Sequence, residues 1–312
     1  MNTDISRNQY YEERVNRVLD YVGEHLDEDL SLARLASIGC FSPFHFHRIF
    51  QGVTGETLNA HVRRVRLERA AMLMKASPRR LITDVALATG FAGTAEFSRA
   101  FKGHFGKTAS SWDRRSPLEN SKICKAPEGM PFHTVEELEI WKATAARVQV
   151  VRYAAFRFVY FRIYAAHGNM SLVDRHQALA EWLAARGTNA REVKFIGMSQ
   201  DDPSITPAEN CRYDMGVAFA LDSRMAAAPT AAECERTGLT LRDFPAQEMV
   251  SVHCVGDIEH VGRAWQYLYR VWLPKGEYEP VDLPAMEMFV KLPEEIGWET
   301  FDLHACIPVA RL

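Results

Sequence analysis

The sequence lacks the features of an exported or membrane-spanning protein. Its start, Met1-Asn-Thr-Asp-Ile-Ser, has neither the basic segment nor the apolar segment of a secretory signal. No apolar run approaches the roughly 20 residues that a membrane-spanning helix needs. We therefore expect a cytoplasmic protein that does not contact a membrane.

Patterns of cysteine and histidine that hold metals or form disulfide frameworks are also absent. The six cysteines are scattered, with no C-x-x-C pair among them. The close pair His45 and His47 has no neighbouring cysteine or carboxylate. There is no G-x-S-x-G motif and no Ser-His-Asp order. The sequence therefore predicts free thiols, no metal, no cofactor and no catalytic residues.

Length and charge distribution divide the chain. With 312 residues it is long enough for two domains. Residues 31–115 contain 14 Lys and Arg against 5 Asp and Glu, a net charge of +9, whereas residues 116–312 contain 20 against 27, a net charge of −7. Such a basic segment is typical of nucleic-acid binding, and a solvated basic face is the alternative interpretation.

The basic segment contains a repeat. Residues 35–55 recur in residues 86–106 at an offset of 51. The matched pairs include Gly39 with Gly90, Phe46 with Phe97, Arg48 with Arg99, Phe50 with Phe101, and Gly55 with Gly106. In each copy an Ala-rich helix ends at a glycine suited to a left-handed cap, and a second helix begins near Ser42 or Gly93. The repeat predicts two helix-turn-helix units.

The second helix of each unit has two distinct faces. Its phenylalanines at positions i and i+4 share the face that should pack on the core, which leaves Arg48 and Arg99 on another face. Between the units, residues 56–76 have the apolar spacing of one helix, with Pro78 beyond its end. A single helix would fix the spacing of the two units.

Residues 30–115 resemble the DNA-binding domain of the AraC/XylS regulators. Gly90-Phe91 and the run from Phe97 to Gly106 carry this resemblance. It implies that both second helices enter adjacent major grooves of double-stranded promoter DNA, about 34 Å apart. RNA polymerase is a further candidate partner. The base-facing candidates by position in the motif are Phe44, His47, Arg48, Thr94, Ala95, Ser98 and Arg99.

Some of these positions have alternative interpretations. Arg48 and Arg99 could hold phosphates instead of reading guanine edges, since many DNA contacts are made to the backbone. Phe44 could equally belong to the domain core.

The remainder of the chain predicts an α+β domain. We assign residues 8–115 to the DNA-binding domain, residues 116–147 to a linker containing Ser-Pro and Ala-Pro-Glu-Gly, and residues 148–312 to the C-terminal domain. Strand-like and helix-like runs there follow the order strand-helix-strand-strand twice. The predicted fold is therefore multidomain, with an all-α tandem helix-turn-helix domain and an α+β domain of two such modules. A cleft between the modules would suit a small ligand.

The C-terminal residues 148–312 resemble a GyrI-like effector-binding domain. The resemblance is carried by a run beginning at Asp201-Asp-Pro-Ser, by Arg212-Tyr-Asp, by Trp265-x3-Tyr269-x2-Trp272 and by Pro284-x2-Glu287. It implies that Glu287 is an acidic pocket residue and that the aromatic residues of the preceding helix line the pocket. Phe289 stands where that family usually has tyrosine.

The residues themselves are compatible with such a pocket. Trp265, Tyr269 and Trp272 lie at i, i+4 and i+7, so they share a helix face, and a carboxylate among aromatic rings suits a cationic or amphiphilic guest. Alternatively, the aromatic stripe is core and Glu287 faces solvent. We predict a transcription regulator controlled by a small effector. The alternatives are a GyrI-like hydrolase and a module that sequesters another protein.

Overall fold

A computed structural model describes residues 3–77, 79–112, 133–145, 147–164, 171–189, 192–202, 205–221, 228–235, 237–275, 277–281 and 283–312. The chain divides into two compact units, Met1–Cys124 with Thr230–Thr240, and Lys125–Pro229 with Leu241–Leu312. None of the helices in these ranges is long and apolar enough to cross a membrane. The five cysteines in them are free thiols, and Cys124 lies outside the described residues.

The first unit contains the two predicted helix-turn-helix pairs. Its helices are α1 (Thr3–Glu24), α2 (Leu32–Ile38), α3 (Pro43–Thr54), α4 (Leu58–Ala76), α5 (Ile82–Ala88) and α6 (Thr94–Phe105), followed by a 3₁₀ turn at Ala109–Ser111. Helices α3 and α6 begin directly after Ser42 and Gly93, as predicted. Helix α4 begins after Thr57, because the Thr57 side chain accepts a hydrogen bond from the Ala60 backbone N–H.

The core of this unit is built from paired phenylalanines. Phe46 and Phe50 of α3, and Phe97 and Phe101 of α6, are 0% exposed. The rings in each pair lie in contact, with centroids 5.7 Å apart in α3 and 5.3 Å apart in α6. Such aromatic burial stabilises each helix on the core and fixes which face remains outside.

The left-handed residue of the first turn differs from the one predicted. Gly39 has φ −72°, whereas the next residue, Cys40, has φ 53°. In the second helix-turn-helix unit the left-handed residue is Gly90, as predicted, with φ 76°. Gly39 is instead closely packed, since an added Cβ atom would lie 2.9 Å from the Phe41 ring. The prediction that Gly39 takes the left-handed position of the first turn is therefore wrong.

The second turn is one residue longer than the first. Phe41 donates its backbone N–H to the Ala36 carbonyl, and Phe91 donates its backbone N–H to the Ala86 carbonyl. Because these bonds are equivalent, the first helices of the two helix-turn-helix units align at an offset of 50 residues. The second helices align at 51, because Ser42 and Gly93 both precede them. Ala92 is the additional residue.

The second unit contains an antiparallel sheet of nine strands. The strands are β1 (Val148–Tyr153), β2 (Phe156–Tyr164), β3 (Lys194–Ser199), β4 (Arg212–Ala220), β5 (Thr240–Phe244), β6 (Gln247–Gly256), β7 (Tyr278–Pro280), β8 (Ala285–Lys291) and β9 (Phe301–Arg311). The helices that follow α6 along the chain are α7 (Val135–Ala145), α8 (Ser171–Ala185), α9 (Ala231–Glu235), α10 (Ile258–Tyr267), α11 (Leu273–Lys275) and α12 (Pro293–Ile296). Of these, α9 lies in the segment Thr230–Thr240 of the first compact unit. A π-helical segment, Leu268–Trp272, joins α10 to α11. A 3₁₀ turn lies at Ala208–Asn210.

The predicted pair of strand-helix-strand-strand modules is confirmed. The modules are β2-α8-β3-β4 and β6-α10-β8-β9, and the sheet order is β1-β6-β9-β8-β3-β4-β2-β5, with β7 on β9. The modules meet where β3 pairs with β8, and Gly197 lies opposite Glu287 there. This pairing places residues of both modules on one continuous surface.

Two short connections force this sheet to curl. Strand β1 lies beside β6 of the second module, yet only residues 154 and 155 separate it from β2 of the first. In a flat sheet, β1 and β2 would be six strand spacings apart, about 29 Å. The connection reaches at most about 11 Å. The connection between β5 and β6 imposes the same constraint, so the sheet closes towards a half-barrel.

A helix occupies part of the predicted linker. Helix α7 (Val135–Ala145) lies within residues 116–147, while residues 113–132 lie outside the described ones. Its Leu138 is 0% exposed and its Trp141 is 8% exposed, and both belong to the core that contains Tyr267 of α10. The apolar spacing of Leu138 and Trp141 buries one face of α7 on the second unit, so the linker assignment does not describe residues 135–145.

Two of the bidentate Arg–Asp pairs in this unit differ mainly in burial. Arg162 donates to both carboxylate oxygens of Asp214 at 2.7 and 2.6 Å, and the two side chains are 0% and 2% exposed. Arg157 donates to both oxygens of Asp243 at 2.7 Å, and those side chains are 26% and 48% exposed. The pairs have matched geometry in different surroundings.

Asp214→Ala should therefore destabilise the protein far more than Asp243→Ala. The first substitution leaves the Arg162 charge buried without its carboxylate, which costs about 3–5 kcal/mol. The second breaks an exposed pair, worth about 0–1 kcal/mol. Urea unfolding of the full chain measures both free energies, and similar losses for the two variants would contradict this account.

Candidate nucleic-acid interface and ligand pocket

The predicted base-facing residues are exposed on both second helices. They are Phe44, His47 and Arg48 on α3, and Thr94, Ala95, Ser98 and Arg99 on α6. The buried phenylalanine pairs occupy the opposite faces of the same helices. Each helix therefore holds its candidate contacts outward from a rigid core.

The alternative position for Phe44 in the core is excluded, because its side chain is 80% exposed. Within the described part of the chain, neither Arg48 nor Arg99 forms an ion pair or a side-chain hydrogen bond. Both guanidinium groups thus keep their five N–H donors available for a partner. Arg64 of α4, by contrast, is buried and paired with Glu56 and Glu68.

Glu287 lies at the junction of the two modules and accepts hydrogen bonds from both. The Tyr213 hydroxyl of β4 donates to Oε2 at 2.6 Å, and the Trp265 indole N–H of α10 donates to Oε1 at 3.2 Å. The Glu287 side chain is half-buried. The interpretation of Glu287 as a simple solvent-facing residue therefore does not describe this carboxylate.

Tyr213 was not among the predicted pocket residues, although the motif Arg212-Tyr-Asp contains it. Burial and then the charge of Glu287 raise the pKa of Tyr213 well above its usual value, so its hydroxyl stays protonated and donates. Gly197 makes room for it, because a Cβ atom there would overlap the Tyr213 oxygen. The approach depends on β3 and β4 being neighbours, which a local motif does not encode.

The predicted aromatic stripe is only partly brought together. The rings of Trp265 and Tyr269 stack with centroids 6.2 Å apart, and both are half-buried. Trp272 instead stacks on Tyr278 at 5.7 Å. The reason is the π-helical segment, in which the Leu273 N–H reaches back five residues to the Leu268 carbonyl. This wider turn changes the angular position that α-helical spacing assigns to Trp272.

The core interpretation of the stripe applies to a different face of the same helix. Val261, Ala264, Leu268 and Val271 are buried against the sheet, whereas the three aromatic residues lie at the margin of that core. Phe289 of β8 is also half-buried and packs beside Tyr213. The Glu287 carboxylate therefore has the Tyr213 and Trp265 donors beside it, and Phe289 packs against the apolar cluster that contains Tyr213.

A cluster of Ser251, His304 and Cys306 lies elsewhere on β6 and β9. The Ser251 hydroxyl is 3.1 Å from His304 Nδ1. Ser251 is 0% exposed, and Asp302 binds the neighbouring His253 at 2.8 Å. Burial raises the pKa of Cys306 to about 11. The hydroxyl is thus closed to a substrate, the acid does not orient His304, and the thiol stays protonated.

Comparisons with known families match both parts of the chain. Residues 147–310 match the family described as the GyrI-like small molecule binding domain. Residues 35–115 match a family described as a helix-turn-helix domain, and the relatives of this region are AraC-type regulators.

Individual relatives share part of the chain. An uncharacterized HTH-type transcriptional regulator, YbfP of Bacillus subtilis, is 37% identical over 93 residues, which is 30% of this chain and 31% of the relative. The right origin-binding protein of Escherichia coli is 35% identical over 103 residues, 33% of this chain and 35% of the relative. The chain thus spans about a third of the length of these curated relatives. The solved EcmrR C-terminal domain is 12% identical, covers 54% of this chain and 99% of its own, and has a TM-score of 0.42.

Tyr213→Phe should lower the free energy of unfolding by about 1–3 kcal/mol, because it leaves a half-buried carboxylate oxygen without its donor. Tyr278→Phe is the matched control. Tyr278 is half-buried but forms no side-chain hydrogen bond within the described ranges, so its loss of a hydroxyl should be nearly neutral. Urea unfolding compares the two, and equal effects would mean that the Tyr213–Glu287 hydrogen bond contributes little.

Proposed function

We propose, because the chain belongs to the GyrI-like small-molecule binding family and carries an AraC-type helix-turn-helix domain, that it regulates transcription in response to a small effector. The observation that carries this proposal is the exposed arrangement of both second helices. Seven candidate contacts lie outward while the phenylalanines that hold them are fully buried. Such helices are the elements that read major grooves.

The two helices give different sets of contacts to DNA. Arg48 and Arg99 occupy equivalent positions and can each make a bidentate pair with a guanine edge. Phe44 offers an exposed ring, which suits a thymine methyl group, whereas Ala95 offers no hydrogen bond. We infer that α3 discriminates between sequences more strongly than α6. The positive charge of residues 31–115 adds phosphate attraction that weakens with salt.

Arg48→Ala and Arg99→Ala should each weaken binding to a selected DNA site by about 1–3 kcal/mol and relax the preference at one base position. The positions should lie about one helical turn, or 34 Å, apart. Site selection from random DNA followed by affinity measurement on single-base variants tests this. Arg311→Ala, which removes the same charge from β9, is the control and should leave affinity near wild type. A uniform loss across all sequences would assign Arg48 and Arg99 to phosphate contacts instead.

The effector pocket is proposed around Glu287. The carboxylate supplies negative charge, and the half-buried rings of Trp265 and Tyr269, which stack with centroids 6.2 Å apart, supply aromatic surface for cation–π attraction. We therefore propose a cationic or amphiphilic effector. Trp272 stacks on Tyr278 at the margin of the same core. We propose that it adds apolar surface to the pocket and does not contact the Glu287 carboxylate.

A sensor is proposed in preference to a hydrolase. The Ser251–His304 pair has a fully buried hydroxyl, and the carboxylate beside it is bound to His253. Cys254 near Glu287 is also protonated, because burial and then the charge of Glu287 raise its pKa to about 12. Neither group is an activated nucleophile. Incubation of the protein with ester substrates should give no turnover.

Glu287→Gln should weaken binding of aromatic quaternary ammonium compounds about ten- to a hundredfold, because it removes the charge that faces the cation. Uncharged analogues of the same shape should bind with nearly unchanged affinity. Calorimetric titration of the full chain measures both classes. Glu279→Gln, at an exposed position of β7, is the control. Unchanged affinity for the cations in Glu287→Gln would show that Glu287 is not their anchor.

A further inference from the structure

Arg66 of helix α4 ties together parts of the first unit that are distant in sequence. Its Nε donates to the Leu26 carbonyl at 2.9 Å, and its Nη2 donates to the Glu28 carbonyl at 3.3 Å. Both carbonyls belong to the connection between α1 and α2. Burial lowers the pKa of Arg66, while the charges of Glu96 and Asp27 oppose that shift. A planar guanidinium held by two carbonyls positions this connection on α4.

Gly90 brings the second helix-turn-helix unit against the Leu26 carbonyl as well. Its φ of 76° favours glycine, and a Cβ atom there would overlap the Leu26 carbonyl oxygen and lie 2.7 Å from Arg66 Cζ. The turn of the second helix-turn-helix unit therefore packs directly on the Leu26 carbonyl that Arg66 binds. Gly55 has a similar φ of 77°, but an added Cβ atom would meet no atom within 4 Å. The close contact is thus a property of Gly90 and not of left-handed glycines in general.

This contact links the segments that lead into the two candidate recognition helices. The connection held by Arg66 leads into α2 and then α3, and Gly90 is four residues before the start of α6 at Thr94. A groove of about 620 Å³ beside it is lined by Glu28, Arg66, Phe91, Glu96 and Arg99, among others. Helix α4 also contacts α3, α5 and α6, and the approach of Arg66 and Gly90 to the Leu26 carbonyl adds a further link between the two helix-turn-helix units.

We infer that Arg66 and Gly90 set the separation and orientation of α3 and α6, and hence the spacing of DNA half-sites that the protein accepts. This inference rests on the proposed function. Arg66 and Gly90 are positioning residues, since they act through the helices and not through contact with DNA bases. Each inserted base pair moves a half-site by about 3.4 Å along the duplex and about 35° around it. A fixed pair of helices should therefore strongly prefer one spacing.

The test uses the full chain and DNA sites whose half-sites are separated by the selected spacing or by one or two base pairs more or fewer. Wild-type protein should show one sharp optimum. In Arg66→Met the ratio of affinities between the optimal and the shifted sites should fall by about threefold or more. Gly90→Ala should flatten or displace the same profile. A wild-type profile in folded Arg66→Met and Gly90→Ala would overturn the inference.

Two control variants separate positioning from charge and from backbone strain. Arg63→Met removes an exposed charge from the same helix and should lower affinity equally at every spacing. Gly55→Ala introduces the same left-handed strain in open space, so it should lower the melting temperature without altering the profile. A flattened profile in either control would overturn the assignment to Arg66 and Gly90.

A conservative variant covers failure of Arg66→Met to fold, which thermal unfolding will show. Arg66→Lys keeps the charge but replaces the planar fork by one ammonium group, so it should give an intermediate profile. A wild-type profile in folded Arg66→Lys would then overturn the inference. If wild-type protein binds no DNA, or binds it without regard to the second half-site, the proposed two-helix function fails instead.

Discussion

Both candidate functional regions of this chain depend on backbone positions where no Cβ atom fits. At Gly90 the second helix-turn-helix unit packs against a carbonyl of the α1–α2 connection, and at Gly197 the Tyr213 hydroxyl crosses β3 to reach Glu287. In each case a single missing side chain allows two elements to approach more closely than van der Waals contact with alanine would permit. The two glycines differ in one respect, because only Gly90 also needs a left-handed conformation. The arrangement of the candidate contacts follows from these approaches.

The repeated element order of the C-terminal unit is broken in its residues at the junction of the modules, where a glycine faces a carboxylate. The modules are related by element order, and their β3 and β8 strands pair with Gly197 opposite Glu287. A second carboxylate at position 197 would occupy the space that Tyr213 uses and would place like charges opposite each other, which is unfavourable. The departure from symmetry therefore creates a polar centre with donors from both modules. The exchanged edge strands β1 and β5 keep those modules together.

Local sequence signals predicted the elements well and their approach poorly. Phenylalanines at i and i+4 identified the buried faces of α3 and α6, because helical periodicity alone decides which side chains share a face. The same periodicity misplaced Trp272, since a π-helical turn is not visible in residue spacing. Tyr213 was missed because its contact with Glu287 spans 74 residues. The extra residue Ala92 was also missed, because matching glycines by identity hid the shift of the left-handed position to Cys40.

The hydrogen bonds that Glu287 already accepts constrain how a ligand could act on this domain. A carboxylate has about four lone-pair sites, so Tyr213 and Trp265 leave acceptor capacity for a further partner. A cation without N–H groups would add Coulomb attraction without displacing either donor, whereas a ligand with strong donors would compete with them. Competition would weaken the hydrogen bonds by which Glu287 links Tyr213 of β4 to Trp265 of α10. Charge pairing alone would leave these bonds in place and draw the neighbouring aromatic rings towards the cation. A ligand shifts a conformational equilibrium only by its differential affinity for the two states. These two classes of ligand should therefore shift the equilibrium between intact and broken Glu287 hydrogen bonds in opposite directions.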